Sequence, residues 1–379
     1  SPPGTGTSSQ RRRSPGSEST TRVVVALCAD ADDGATAGTP ALANNRLTAN
    51  EAGTRRLITM RKLMRRRMRG QTWVRATLVA VNLASVGLLA QGASEPQAAQ
   101  APAEFREVHM GMEVRLVVAQ PAASERALAE RAARAAFDRV TELEAVLSDW
   151  RPTSELRRVS RQPTGEWVSV SPTLCAVLAL ALEVARATSG QFDPTVGPLT
   201  ALWREEQRTG KSLPDSVWAA ARARVGYQFV ELDTVTYRVR MLRDSMRLDL
   251  GAIAKGWILD AALADVRRVG VSAALIEAGG DIALFGAPVG TAADSRGWRV
   301  AVPGAGPDSV LVLTAGAVST SGPAMQWIPR RDGARESHVI DPRTGHGAVD
   351  GRSITVVGPS AAVTDALATA LTLVPAPAM

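Results

Sequence analysis

Asp249-Leu250-Gly251-Ala252-Ile253-Ala254-Lys255-Gly256 is the stretch on which the reading of this chain turns. The preceding residues, Arg247–Leu250, predict a strand, and a helix is predicted from Ala254 to about Val269, where Gly270 breaks it. An acid thus closes a strand, a small-residue turn follows, and backbone N–H groups are left exposed at a helix start. Such a junction suits a phosphate, with Lys255 adding a point charge. Gly251 and Gly256 match neither the Walker loop nor the dinucleotide fingerprint, which excludes both. Lysine is rare in this chain: Lys62, Lys211 and Lys255 stand against 41 arginines. A lysine in such company points to a task for a compact charge that a forked guanidinium does not suit. The plainer alternative is a strand–turn–helix junction with a solvated lysine.

Working outward, Glu107–Ala119 predicts one strand. Ser124 then predicts a helix cap before Leu128, Ala132, Ala135, Ala136, Val140, Leu143 and Leu147 at helical spacing. A polar turn at Arg151–Glu155 leads to a short strand, Trp167–Val170, and to a helix opened by Ser171-Pro172 and ended by Ser189-Gly190. Phe229–Asp233 and Thr236–Leu242 predict a hairpin. Strands follow at Ala273–Ala278, Trp298–Val302, Ser309–Leu313, Ser319–Ser321 and Ile354–Val357, and Thr364–Leu373 predicts the last helix. Hairpins and helices without a regular βαβ rhythm place the chain in the α+β class.

The composition of the 379 residues, 45% hydrophobic and 21% charged, is that of a globular protein. Two cysteines, Cys28 and Cys175, exclude a disulfide scaffold and a cysteine zinc site. The formal charge of +7 is concentrated at one end: residues 1–75 carry 14 Arg/Lys against 5 Asp/Glu, and the rest 30 against 32. A nucleic-acid groove across the body is thereby excluded. Residues 1–59, rich in Ser, Thr, Gly, Pro, Ala and Arg, read as disordered or as upstream sequence foreign to the natural protein. Residues 60–93 have the layout of a signal peptide: Met60, a basic run from Arg61 to Arg75, the apolar stretch Ala76–Ala90, then Gly92-Ala93-Ser94. The apolar stretch is shorter than the roughly twenty residues of a comfortable span, although an N-terminal membrane anchor is the competing reading. Residues 94–103 form a linker, and 104–379 the globular domain. The expected location is periplasmic, or the outer face of the cytoplasmic membrane.

Further segments could carry chemistry. Asp365 and Thr369 lie one helical turn apart, so their oxygens share a face. With backbone carbonyls they would form an oxygen-only shell, suited to Mg²⁺ rather than zinc. The alternative is a helix cap with a mid-helix threonine. His338, in the polar loop Ser337–Gly345, has the setting of a near-neutral base, which His109 and His346 lack. Trp150, beside a polar turn, is placed to meet an aromatic ligand, while the other tryptophans read as core.

In their order, these segments resemble the ApbE flavin-transferase family, the FAD:protein FMN transferases. The likeness rests on Met110-Gly111, Asp149-Trp150-Arg151-Pro152 with Ser154-Glu155, Gly190–Pro198 with Leu202-Trp203, and Asp249–Gly256. It continues through Gly279-Gly280-Asp281, Thr320-Ser321-Gly322, His338–Gly345 and Asp365–Thr369. The resemblance implies a two-lobed α+β fold with FAD between the lobes. It implies a Mg²⁺-dependent enzyme that moves FMN from FAD to a Ser or Thr hydroxyl of an acceptor flavoprotein and releases AMP. In an exported setting that acceptor would belong to a membrane-associated redox complex. By the same resemblance the flavin nucleotide would meet Met110, Trp150, Gln191, Phe192, Asp193, Asp249, Lys255 and Ile340. The metal would meet Ala252 through its carbonyl, Asp365 and Thr369, and His338 would deprotonate the acceptor. Two rivals share these residues: a metal-dependent FAD pyrophosphatase giving free FMN and AMP, and a flavin-binding protein without turnover. The chain departs from the family pattern at Met112-Glu113 and at Gly322-Pro323-Ala324. It also ends soon after the Asp365 helix, where family members continue, which reads as a shortened C-terminus.

Overall fold

The computed structural model describes residues 21–25, 102–119, 125–288, 297–303, 309–322, 327–329, 335–348 and 353–374. The expected signal segment, the Ser124 cap and Pro323-Ala324 lie outside these residues.

Met110-Gly111 divides the expected strand Glu107–Ala119 into two, β2 (Ala103–His109) and β3 (Met112–Val118). Both turn residues have positive φ, +52° and +74°, as a two-residue hairpin matched to strand twist requires. The same device recurs between β7 (Ala274–Ala278) and β8 (Asp281–Phe285), where Gly279 and Gly280 have φ of +56° and +91°. β3 pairs antiparallel with β7, and β8 with β11 (Ala315–Ser321), which pairs antiparallel with β14 (Ser353–Gly358). The resulting seven-stranded sheet runs β1 (Thr21–Val25), β14, β11, β8, β7, β3, β2. Its edge strand β1 (Thr21–Val25) pairs parallel with β14, so these five residues of the stretch expected to lack structure do take up structure. The run Thr-Arg-Val-Val-Val has the β-branched content of a strand, a local signal that the polar sequence around it obscures.

Period-two alternation gives the sheet two buried faces. Val114, Leu116, Val118, Ala274 and Ile276 join the main core, whereas Val117, Leu275, Leu284, Trp298 and Val357 pack on the opposite face. Helices α1 (Arg126–Leu147), α6 (Ala254–Val269) and α7 (Ala361–Thr372) pack into the main core, joined by Leu174, Leu178, Ala181 and Ala185 of a further helix. Ahead of α6 come α2 (Glu155–Val159), α3 (Pro172–Ala187), α4 (Gly197–Thr209) and α5 (Asp215–Arg222). With them sits a three-stranded sheet of β4 (Val168–Ser169), β6 (Arg238–Met241) and β5 (Val230–Asp233), while β9 (Trp298–Ala301) pairs with β10 (Val310–Leu313) and β12 (Trp327–Pro329) with β13 (Arg335–Ser337). Trp203 and Trp218 from α4 and α5 pack with Leu199 and Ile340 in a third, smaller cluster.

Arg247–Leu250 is not a strand. It makes a single parallel bridge, Arg247 to Val196, because Asp249 and its neighbours are held by loop contacts instead of a ladder. The helix that follows begins at Ala254 as expected and ends at Gly270 in the left-handed region.

Helices α6 and α7 approach at Gly256, where a Cβ would come within 2.1 Å of the Ala361 carbonyl oxygen. Gly256→Ala should therefore push the helices apart and cost about 1–3 kcal/mol, the range for overpacking a close contact. Urea denaturation checks this; an unchanged midpoint would show that the backbones part without cost.

Candidate active site

Three segments meet around the Lys255 ammonium group. Nζ donates to both Asp365 carboxylate oxygens at 3.0 Å and to the Gly251 carbonyl at 3.0 Å, and lies 3.2 Å from Asp281 Oδ2. The Gly256 N–H, at the first turn of α6, donates to Asp365 Oδ2 at 3.3 Å. Asp365 and Asp281 are buried, at 1% and 2% exposure. Burial pulls the Lys255 ammonium down, but attraction to Asp281 and Asp365, with their hydrogen bonds, outweighs it and holds the group above its ordinary value. Burial, then repulsion from Asp365, pushes Asp281 up to about 7 against the pull of Lys255 and a hydrogen bond from Ser319. Asp365 is also raised by burial, opposed by Lys255 and the Gly256 N–H.

Local sequence explains each placement. Asp281 begins β8 directly after the Gly-Gly turn and faces Ser319 in the β8–β11 register. Asp365 and Thr369 share one face of α7; Thr369 Oγ1 lies 3.3 Å from Ser321 Oγ at the end of β11, and Thr364 Oγ1 lies 2.8 Å from Ser319 Oγ. Asp281 and Ser321 belong to motifs that carry the resemblance, yet the sequence assigns no role at the site to them, to Ser319 or to Thr364. A strand opening on an acid straight after Gly-Gly was the signal available for Asp281.

The donors gathered here are oxygens: two carboxylates, hydroxyls and a backbone carbonyl. Two carboxylates share one ammonium, and buried Asp281 Oδ2 has no partner besides that ammonium at 3.2 Å. This chemistry fits a hard divalent cation such as Mg²⁺. Among the described residues no three His, Cys, Asp or Glu side chains converge in a metal-holding group, so zinc-type chemistry has no such ligand set there. Ala252, the expected carbonyl ligand, is half-buried in the turn next to Gly251.

The remaining expected contacts divide. Met110 is half-buried in the hairpin turn and Trp150 is 69% exposed after α1. Gln191 is half-buried in the loop after α3, with its N–H given to the Thr188 carbonyl. Phe192 is buried in the main core. Asp193 is spent on its own loop: it accepts from the Thr195 N–H and hydroxyl at 2.8 and 2.6 Å and from the Tyr227 N–H at 2.9 Å. Ile340 packs into the third cluster. Asp249 accepts from the Gly251 N–H at 2.9 Å and the Thr200 hydroxyl at 2.7 Å, and it shapes the turn that presents the Gly251 carbonyl. His338 is half-buried and meets Trp203 edge-on, ring centroids 6.4 Å apart. Arg343, in the same loop, donates to the Leu373 carbonyl at the end of α7 at 3.2 Å, which ties the His338 loop to the helix of Asp365.

A mixed α+β domain thus carries a buried Lys–Asp cluster at the junction of two helices and a sheet end. The ApbE family is matched over residues 110–379, and the chain belongs to that family. It is similar to the FAD:protein FMN transferase of Treponema pallidum, 33% identical over 273 residues, which are 68% of this chain and 74% of that protein. The Chlamydia pneumoniae protein of the same name is 30% identical over 235 residues, 60% of this chain and 72% of its own. Among solved structures, the ApbE protein of Thermotoga maritima superposes with a TM-score of 0.62 at 29% identity, covering 72% of this chain and 87% of that one. Flavinyl transferase ApbE of Pseudomonas stutzeri, in its apo form, gives 0.61 at 26% identity, with 72% and 84% covered.

Removing Lys255 would leave Asp281 and Asp365 buried without their counter-charge. Lys255→Met should cost about 3–5 kcal/mol of stability, the range for breaking a buried pair from one side. Chemical denaturation without added metal measures it, and a loss below about 1 kcal/mol would show that Lys255 does not compensate the pair.

Proposed function

We propose that this enzyme, an FAD:protein FMN transferase, moves FMN from FAD to a Ser or Thr hydroxyl of an acceptor protein and releases AMP. The observation that carries the reading is the convergence on Lys255 of Asp249–Gly256, Gly279–Asp281 and Asp365–Thr369, far apart in sequence, in a chain of this family. Asp365, Thr369 and the Ala252 carbonyl would hold Mg²⁺, which when bound neutralises charge on pyrophosphate oxygens. FAD would lie between the lobes, where Met110, Trp150 and the Asp249 turn offer a hairpin backbone, an exposed indole and an oriented loop.

In the transfer, the acceptor oxygen forms a bond to the FMN phosphorus as the pyrophosphate P–O bond breaks and AMP leaves. The hydroxyl proton passes to the His338 imidazole. A base of near-neutral pKa suits that transfer. The edge-on contact with Trp203 restricts the ring, and Arg343 holds the loop against α7. Export to the periplasm or the outer face of the membrane is supported by the basic run and apolar stretch of residues 60–93. An acceptor in a membrane-associated redox complex fits that location.

Incubation with FAD, Mg²⁺ and a flavoprotein acceptor, read by in-gel flavin fluorescence and by mass analysis of the nucleotides, tests the reading. Free FMN plus AMP without protein-linked flavin would replace it with FAD hydrolysis. Asp365→Ala should abolish Mg²⁺-dependent turnover, with Thr369→Ala milder because a neutral hydroxyl contributes less than a carboxylate; full activity in Asp365→Ala would sink the metal assignment. His338→Ala should slow transfer by about 10²–10⁴-fold at nearly unchanged FAD affinity, while His109→Ala and His346→Ala change little. Wild-type transfer by His338→Ala would pass the base to another group.

A further inference from the structure

Trp150 sits where a large aromatic side chain costs most, 69% exposed in the turn after α1. Its backbone is not loose: the N–H groups of Trp150 and Arg151 both donate to Ser148 Oγ, at 3.2 and 3.1 Å. One face of the indole is covered by the Arg204 guanidinium, whose carbon lies 3.9 Å from the ring centroid. Arg204 is held in turn by two buried carboxylates. It pairs with Asp149 Oδ2, and its Nη2 lies 3.4 Å from Asp249 Oδ2, which also accepts from the Thr200 hydroxyl. The plane of the guanidinium is therefore set from below by groups that do not move freely, and the indole rests on that plane.

We propose that Arg204 is a positioning residue that fixes the Trp150 indole as a stacking platform for a flat ring of FAD. The proposal rests on the flavin reading above and adds to it a residue outside the motifs that carry the family resemblance. Arg204 does not touch the reacting atoms. It lends one face of the ring a cation–π contact and leaves the other to a planar ligand. Only an arginine does this well, since a lysine keeps the charge for Asp149 but lacks the flat surface.

The test uses the full domain labelled with 5-fluorotryptophan, with the Trp150 resonance assigned by its loss in Trp150→Phe. In the flavin-free protein, Arg204→Lys should shift and broaden that resonance and leave those of the buried tryptophans in place. An unmoved Trp150 resonance overturns the positioning role. FAD is then titrated with EDTA present, so that turnover does not intervene. Arg204→Lys should weaken FAD binding about two- to fivefold, the fold-change of an exposed cation–π contact. In a Trp150→Ala background the same substitution should have no further effect, because Arg204 acts through the indole. An equal loss in both backgrounds overturns the proposal in favour of a direct or general structural role. A wild-type protein that takes up no FAD at all overturns the flavin reading, and the fluorine resonance still decides whether Arg204 positions Trp150.

Discussion

The Lys255 ammonium draws together three segments that are distant in the chain. It sits on the Gly251 carbonyl, on Asp365 from the last helix and beside Asp281 from the start of a central strand. Removing two carboxylates and an ammonium from water is costly, and their mutual attraction repays it only where hydrogen bonds complete the shell. Here the shell is incomplete: Asp281 Oδ2 has only the Lys255 ammonium at 3.2 Å, and two carboxylates share that one cation. An apolar trio of similar volume would fold at least as well by that accounting. The cluster is therefore poor evidence of stability and better evidence of chemistry, an anionic oxygen pocket that a cation and a phosphate could complete together.

The packing that builds the core also sets this geometry. Asp260, one turn beyond Gly256 on α6, accepts from the Ser360 hydroxyl and the Ala361 and Ala362 N–H groups at 2.8, 2.8 and 3.0 Å. One carboxylate thus accepts from a hydroxyl and from two N–H groups at the start of α7, and those N–H groups have no intrahelical partner. With Gly256 letting the two backbones meet, α7 has little freedom to slide along α6, and Asp365 is delivered to the Lys255 side one turn later. Fold and site are coupled through the same few ångströms of contact.

Much of this could be read from the sequence, and the parts that could not have physical reasons. The junction Asp249–Gly256, the α6 helix and the Asp365–Thr369 face carry strong local signals: a stop at Gly270, apolar spacing, and oxygens one turn apart. Arg247–Leu250 looked like a strand because its residues alternate, yet its backbone is claimed by the Pro194 and Ser160 loops. The split of Glu107–Ala119 was hidden because Met110 takes a left-handed conformation that side chains seldom adopt. Asp193 and Phe192 stand in a ligand-like loop but face inward, one bonding its own turn and the other filling the core. Spacing does not reveal which way a loop side chain points.

Helix α4 is the element that the sequence hid most completely and the one that connects the separated motifs. Its N-cap, Val196, makes no side-chain cap bond, so only Pro198 in the first turn and the left-handed Gly210 after the last mark its ends. Yet Thr200 bonds Asp249, Trp203 abuts His338, and Arg204 lies under Trp150, all within two turns. A helix needs tertiary partners more than propensity, and α4 finds them in the loops it organises. The proposed base, the turn beside Lys255 and the exposed indole are thus referenced to one rigid rod. A shift of α4 would move all three together, so their relative placement depends less on the three loops themselves than on how firmly Leu199, Trp203 and Trp218 pack beneath the helix.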